Sequence, residues 1–415
     1  MKIGWIDFSN SERNKVLNVL ASLSEQGTLD ELGIAPIRDG FSNIFFPGTS
    51  TIQTRAKYFL IVPYVLNDIE RRKETNYRKA LSILDSTEEQ CAKILIANGE
   101  DTDRVIGIRS LRQKKWVKRT PASIYWSGLR TYGILKAGDI SLTQFADLMC
   151  RKNKQYLDIK KIGHYTKPDE NVDSDDKDAG NDLHIQFWNL PKYPDNWQET
   201  LDVNLTKEEG AFLKERIIAS CGDSMLANIL QNKNIKEIIA CESFENLGSL
   251  IKDFPEDFPE KLRDDYYLAY DFSNFVYVLR ILYNIIVSAG KNKEANEKWE
   301  EEKPHIYDYA KSLELKKIFE RLNLIGHTRL YNFLNDAQQV MQTGLLQKED
   351  YDKMINLIIS REVYLKHEKR AKTIHPGEFD PNIWFGGKKL DYRFKRNGII
   401  IVKDIYESES GGQNA

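Results

Sequence analysis

Helical spacing of apolar residues is the feature that most limits what this 415-residue chain can fold into. Thr206 and Glu209 have the spacing of a capping box, in which each side chain binds the backbone N–H of the other residue at a helix start. From there onward the apolar pattern predicts one helix after another, at 207–231, 264–289, 313–322, 327–342 and 349–371. The sequence therefore predicts a mainly helical protein.

Helix-start signals also occur in the first third of the chain. Ser50 and Gln53 form a capping-box pair, and they predict a helix whose apolar face carries Ile52, Ala56, Phe59 and Leu60. Thr120 followed by Pro121 predicts a second helix start, because threonine accepts a backbone N–H and proline lacks one. Gly133 is placed to end that helix in the left-handed conformation.

Three short stretches have the composition of β-strands instead. They are MKIGWIDF at the amino terminus, HIQFWNL within 184–190, and GIIIV at 398–402. The predicted fold class is thus mainly α, a multi-helix protein in two or three lobes with a few short β-strands near the termini and around 184–190.

Composition excludes several classes of protein. The hydrophobic fraction of 41% and the charged fraction of 29% are those of a globular protein. The most apolar window, 275–290, is shorter than the about 20 residues that a membrane helix needs. No basic region followed by an apolar run marks a secretory signal, so we expect a soluble, cytoplasmic protein without a membrane partner.

Charge is unevenly distributed, although the formal net charge is only −2. Residues 104–136 carry nine Lys or Arg and no acid, whereas residues 168–182 carry seven acids and one Lys. These shifts predict an amino-terminal helical domain at 1–166 that contains the basic segment 104–136, and an acidic linker or loop at 167–182. A carboxy-terminal helical region at 183–415 follows, with a further division near 291–303 as an option.

The basic segment is the strongest functional signal. Clustered cations bind a nucleic-acid backbone, and aromatic side chains such as Trp116, Tyr125 and Trp126 can stack on bases. The predicted contacts to DNA or RNA are Arg109, Arg112, Lys114, Lys115, Lys118, Arg119 and Trp116. Two alternatives remain open, a solvated basic surface and a surface that docks the acidic segment of the same chain.

A second candidate is an anion site around the stretch GTSTIQTRAKYF. Hydroxyl groups at a helix start, with a cation one turn inside, have the parts of such a site, and here they are Thr49, Ser50, Thr51 and Arg55. The spacing of a phosphate-binding P-loop is absent. Because serine and threonine often cap helices without any ligand, the alternative is a packing core.

Motifs for catalysis are weak throughout the chain. Asp308 with Glu314 and Lys316 imitates the two carboxylates and lysine of a metal-dependent nuclease, but this pattern arises easily by chance in a charge-rich helix. The four cysteines lie far apart without a CxxC pair, and no pattern indicates a bound metal or cofactor. The sequence favours a protein without catalytic activity over an enzyme.

Several blocks together resemble a bacterial family of unknown function, the domain of unknown function number 6361. They are KIGWIDFS, DELGIAPIRDGFSNIFFPGTSTIQTRAKYFLIVPY, TPASIYWSGLRTYGI, NLIGHTRLYNFLNDA and DPNIWFGGKKLDYR. The resemblance implies no activity, ligand or catalytic residue, and it implies only loosely a role in antiviral defence.

The function predicted from these observations is that of a non-catalytic, nucleic-acid-binding accessory subunit of a bacterial antiphage defence or restriction-type system. Its expected protein partners are a helicase or a nuclease of the same gene cluster. The alternatives are a metal-dependent nuclease, and a protein-interaction subunit that scaffolds a helicase or nuclease partner.

Overall fold

The computed structural model describes residues 30–98, 104–163 and 186–410. Its first helices are α1 (Ala35–Phe45), α2 (Tyr58–Arg71), α3 (Tyr77–Asn98), α4 (Ile108–Arg112), α5 (Pro121–Thr131) and α6 (Leu142–Gly163). They are followed by α7 (Lys207–Cys221), α8 (Met225–Gln231), α9 (Ile235–Ala240), α10 (Leu247–Asp253), α11 (Glu260–Val287) and α12 (Lys293–Glu302). The last are α13 (Ile306–Ser312), α14 (Leu315–Arg321), α15 (Thr328–Met341), α16 (Lys348–Lys366) and α17 (Ile399–Glu409). The prediction of a mainly helical fold is confirmed.

The described residues form two compact units, each built from two separate parts of the chain. The larger unit comprises Ser42–Arg263 together with the residues from Asp391 onward. The smaller unit comprises the described residues up to Phe41 together with Asp264–Leu390. The acidic segment 167–182 and the strand predicted at the amino terminus lie outside the described residues.

The core of the larger unit is organised around α2, which is buried on almost every side. Tyr58 through Leu66 are all buried, and so is Ile69. A helix that is apolar all round needs neighbours on several faces, and α2 packs against both α3 and α5. In the same unit α7 packs against α17.

The smaller unit is held by helix packing and by buried polar contacts. Helix α15 packs against α13, α14 and α16. On α16 the Glu362 carboxylate accepts hydrogen bonds from the Tyr283 hydroxyl at 2.6 Å and from the Thr373 backbone N–H at 3.0 Å. Each carboxylate oxygen therefore has a donor, as a fully buried acid requires.

Most predicted helix boundaries are confirmed. The Thr206–Glu209 capping box forms, Thr120 caps α5 with Pro121 in its first turn, and Gly133 adopts a φ of 61° after the helix. The helix predicted at 207–231 is interrupted, however, since α7 ends at Cys221 and Ser224 caps α8. Gly222 and Asp223, both poor helix formers, lie at this break.

The predicted helix at the stretch GTSTIQTRAKYF begins later than its capping pair indicated. Gln53 accepts the backbone N–H of Ser50 at 3.3 Å, as in a capping box, but it also donates to the carbonyl of Gly48 and closes a turn. Helix α2 starts only at Tyr58. Local side-chain bonds to the backbone compete with helix formation, and here they hold a non-helical segment.

The two β-strands predicted within the described residues are not present. GIIIV lies in a π-helical turn (Phe394–Gly398) and the first turn of α17, where an uninterrupted apolar run suits a buried helix as well as a strand. Within the described residues 186–190 the structure has a single antiparallel bridge, between Trp188 and Leu135. No strand occurs in the parts of the chain that the structure describes.

Candidate nucleic-acid interface

The basic loop, residues 104–119, is fixed to the core of the larger unit at its start. The backbone N–H of Ile106 donates to the hydroxyl of Tyr58, a buried residue of α2, at 2.9 Å. Gly107 then adopts a φ of 91°, and the short helix α4 follows. The chain turns back after α4 through a hydrogen bond of 3.0 Å from the Lys115 N–H to the Ser110 carbonyl. These bonds give the loop a defined shape.

Seven of the nine Lys and Arg residues of segment 104–136 lie on the surface of this loop. The exposed residues are Arg104, Arg109, Arg112, Lys114, Lys115, Lys118 and Arg119. None of them forms an ion pair with another described residue. The other two cations have polar neighbours, since Arg130 pairs with Asp139 and Lys136 donates to Gln186. The loop therefore presents positive charge that the described part of the protein does not neutralise.

A cleft of about 510 Å³ borders the basic loop. Apolar side chains line part of it, namely Ile52, Ile106, Val117 and Ile124. The remaining lining residues are polar, charged or aromatic: Thr54, Ser110, Gln113, Lys115, Trp116, Lys118 and Arg119. The structure thus brings four predicted contact residues together at one cleft, and it places Arg109, Arg112 and Lys114 outside its lining.

Trp116 is held in place by two contacts. Its indole N–H donates to the carboxylate of Asp85 on α3 at 3.0 Å. Its six-membered ring lies so close to Gly107 that a Cβ atom there would be 2.5 Å from Cζ3 of the indole. Both contacts restrict the side chain, so its position at the cleft does not have to be organised by a ligand.

The other two aromatic side chains of the predicted interface are buried. Tyr125 is 0% exposed and Trp126 is 6% exposed. The indole N–H of Trp126 donates to the Ile140 carbonyl at 2.8 Å, and its ring packs against Phe145 and Trp188. Because neither ring is accessible, the expectation that Tyr125 and Trp126 stack on bases is wrong, and Trp116 alone of the three lines the cleft.

Tyr125 has a structural role that connects the GTSTIQTRAKYF stretch to the cleft. Its hydroxyl accepts the backbone N–H of Thr54 at 2.8 Å and donates to the carbonyl of Arg55 at 2.8 Å. A buried hydroxyl needs partners, and this one finds them on the backbone of the stretch. The result is that Ile52 and Thr54 are held at the cleft wall.

The predicted anion site is not favoured by the contacts of its cation. Arg55 is 5% exposed, and its guanidinium donates to the Asp404 carboxylate at 3.0 Å and to the Asn204 side chain at 3.0 Å. Thr49 is also buried and donates to the Phe46 carbonyl at 2.6 Å. Ser50 is half-buried and Thr51 is exposed. With Arg55 already bound to a carboxylate, these residues favour the packing alternative.

A buried acid near the basic loop carries little charge at neutral pH. Glu88 of α3 is 2% exposed and accepts the backbone N–H of Ala122, in the first turn of α5, at 2.6 Å. Burial raises the pKa of Glu88 to about 8. The group is therefore mostly protonated at pH 7 and cancels little of the positive charge on the loop.

Three of the four charged side chains that line a second cavity of the larger unit, about 520 Å³, are paired within the protein, and the fourth is Lys192. Lys152 lies 2.8 Å from the Glu70 carboxylate, and Arg71 lies 3.2 Å from that of Asp195. Aromatic side chains complete much of the lining, among them Phe187, Trp188 and Tyr193. Compared with the basic cleft, this cavity offers an anionic ligand less positive charge that is not already satisfied.

The residues of the nuclease alternative lie exposed in the smaller unit. Glu314 pairs with Lys317, and Lys316 lies 3.8 Å from Glu320. Asp308 is exposed on α13. Among the residues that the structure describes, no group of three or more His, Cys, Asp or Glu side chains is arranged to hold a metal ion. The geometry gives this alternative no support.

Sequence reasoning identified the cations of the interface and Trp116, but it missed the residues that shape the cleft. Ile52 was predicted only as part of a helix face, Ile124 was not singled out, and the roles of Asp85 and Gly107 depend on contacts between distant residues. A glycine just before a cationic run was the one available signal, since glycine allows positive φ and close approach.

Comparisons with known proteins found similarity to one family model. No curated protein and no solved structure matches it. Among the described residues, no helix has the length and apolar character required to cross a membrane. The model of one family, described as a family of unknown function (DUF6361), matches residues 1–179. Over these residues, which include the basic loop, the resemblance predicted from the sequence motifs is confirmed.

Proposed function

We propose that this protein binds nucleic acid through the phosphate backbone, without catalysing a reaction, as an accessory subunit of a larger assembly. The observation that carries the proposal is the set of seven exposed cations on the basic loop without an ion-pair partner among the described residues. A role in antiviral defence, beside a helicase or a nuclease, stays a prediction.

The energetics of the loop support an anionic ligand. Like charges held close together repel one another and destabilise the compact state, and this cost falls when an anion neutralises them. The neutral form of Glu88 and the single carboxylate at Trp116 provide little compensation inside the protein. A phosphate backbone supplies negative charges at regular intervals, which suits cations spread along a loop.

The proposal predicts binding that weakens steeply with salt. Each phosphate contact releases counterions, so the logarithm of affinity falls with the logarithm of salt concentration by about 0.7 per contact for a single strand. Replacing Lys114, Lys115, Lys118 and Arg119 by Ala should lower that slope by up to about 3, which corresponds to four contacts. Fluorescence anisotropy with labelled DNA and RNA measures the slope directly.

A matched control removes the same charge elsewhere in the larger unit. Lys207, Lys236, Lys252 and Lys261 are all exposed and do not line the cleft. Their replacement by Ala should leave the salt slope nearly unchanged. Equal effects of the two quadruple variants would show that only net charge matters and would overturn the assigned interface.

Absence of binding at low salt to single- or double-stranded DNA or RNA would refute the proposal itself. The alternative of a protein-interaction subunit would then be the favoured hypothesis. Its test is copurification of the full chain with the products of neighbouring genes, in samples treated with nuclease so that nucleic acid cannot bridge the proteins.

A further inference from the structure

We infer that the cleft beside the basic loop receives one unstacked base of a single-stranded nucleic acid, with Trp116 as its stacking surface. The inference rests on the proposed function and adds a substrate class to it, because a double helix offers phosphates but keeps its bases stacked. Four features of the larger unit support it.

The first feature is apolar surface where a purely phosphate-binding site does not need it. Ile52 is 40% exposed, although it lies in a segment whose neighbours Gln53, Arg55 and Ala56 are buried. Ile106, Val117 and Ile124 continue this apolar lining. Water beside apolar side chains is replaced favourably by a flat heterocycle, whereas a phosphate gains nothing from them.

The second feature is the restricted position of Trp116. The bond to Asp85 and the contact with Gly107 fix the indole before any ligand arrives. A side chain that is already ordered loses little conformational entropy on binding. Stacking of a base on such a ring contributes about 1–3 kcal/mol and tolerates any base, since every base has a π-face.

The third feature is size. The cleft volume of about 510 Å³ lies within the range of about 300–1,000 Å³ that is typical of small-molecule sites, so one nucleotide can enter it. Bringing a base out of a duplex costs a few kcal/mol of unstacking and unpairing, a cost that a single strand largely avoids. The cleft should therefore prefer single strands.

The fourth feature is the placement of charge around the apolar lining. Lys115, Lys118 and Arg119 line the same cleft as Trp116 and are exposed. In a single strand each base has a phosphate on either side, so cations beside a stacking ring match the chemistry of the ligand. Thr54, Ser110 and Gln113 add polar groups that can meet the edge of a base.

The test compares strands that carry the same phosphates but differ in bases. Fluorescence anisotropy of the full chain is measured with oligothymidylate, oligouridylate, an abasic strand of the same length, and a duplex of that length. Base-bearing single strands should bind about 5- to 150-fold more tightly than the abasic strand, which is the stacking energy expressed as an affinity ratio. The DNA and RNA arms show whether the site distinguishes oligothymidylate from oligouridylate, which differ in the sugar and in the thymine methyl group.

Trp116→Leu should remove this preference, so that base-bearing and abasic strands bind the variant equally, while the abasic strand still binds in a salt-dependent way. That second measurement also shows that the variant is folded and still binds phosphates. Trp116→Phe, which keeps a ring but lacks the N–H that binds Asp85, should retain most of the preference.

The outcomes separate this inference from the function on which it rests. Equal affinity for abasic and base-bearing strands, or an unchanged preference in Trp116→Leu, would overturn base insertion and leave phosphate binding intact. Failure of every strand to bind at low salt would instead overturn the proposed function and this inference together.

Discussion

Removing one partner of the buried ion pair between Arg55 and Asp404 should cause one of the largest single-residue losses of stability in the larger unit. The two charged groups are 2.9 Å apart and both are buried. Asp404 also accepts the backbone N–H of Ala56 at 2.7 Å. Asp404→Ala leaves the guanidinium without its carboxylate and the Ala56 N–H without its acceptor.

The expected loss of unfolding free energy is about 3–5 kcal/mol, because a buried charge left without its partner cannot be rehydrated in place. Urea denaturation followed by far-ultraviolet circular dichroism measures this loss. The slope of unfolding free energy against urea should stay close to that of the unmodified protein, which shows that the same surface is exposed on unfolding.

The same helix supplies a matched control. Glu407 of α17 lies 3.5 Å from Lys403 in an exposed pair, so Glu407→Ala should cost less than about 1 kcal/mol. A second control removes both buried charges by combining Arg55→Met with Asp404→Ala. This double variant should be more stable than Asp404→Ala alone, because it leaves no buried charge without a partner. If Asp404→Ala costs no more than Glu407→Ala, the assignment of Arg55 to the packing core is refuted.

Two further predictions concern the surroundings of the basic loop. Burial raises the pKa of Glu88 from 4.5 to about 8, so between these pH values the folded state holds a proton that the unfolded state releases. The stability that this group contributes is therefore complete below pH 4.5 and is lost as the pH rises to about 8. Glu88→Gln should abolish that loss. Urea denaturation across this pH range should therefore show the unfolding free energy of the variant rising by several kcal/mol relative to that of the unmodified protein. Parallel pH profiles of the two proteins would contradict the reasoning. Gly107→Ala should destabilise the protein by more than Gly138→Ala, because both glycines have positive φ but only at Gly107 would a Cβ meet the Trp116 ring. Denaturation of the two variants separates the cost of placing alanine at positive φ, about 1–2 kcal/mol, from the cost of the contact with the Trp116 ring. Equal losses of unfolding free energy would show that the ring moves away freely.

The helical character of the protein was predictable because it depends on local sequence. Capping residues such as Thr120 and Thr206 act on their own helix, and the structure has them in these roles. The stretch GIIIV was misread because an apolar run has no periodicity that separates a buried helix from a strand. Its helical state follows from burial of Ile401 and Val402 in α17, which packs against α7.

The candidate site was predictable in charge but not in shape. A run of cations can be counted in a sequence, whereas the cleft also contains Ile52 and Thr54, from a segment that is bound through the Thr54 N–H to the distant Tyr125 hydroxyl. Likewise, Arg55 could be named as a cation, but its partner Asp404 is 349 residues away. Long-range partners of this kind leave no trace in the local pattern, and for the same reason the two interleaved units could not be recognised along the chain.

The pairing of Arg55 with Asp404 also constrains the order in which this protein folds during synthesis. Asp404 leaves the ribosome 349 residues after Arg55. Until then the guanidinium of Arg55 lacks the Asp404 carboxylate, so the surrounding helices close over it only at a cost in free energy. Contacts between residues so far apart in sequence form slowly, because the chain between them must be ordered first. The larger unit should therefore complete its core only after α17 has been made, and a nascent chain that stops before α17 exposes the apolar surface of α7 to chaperones and proteases.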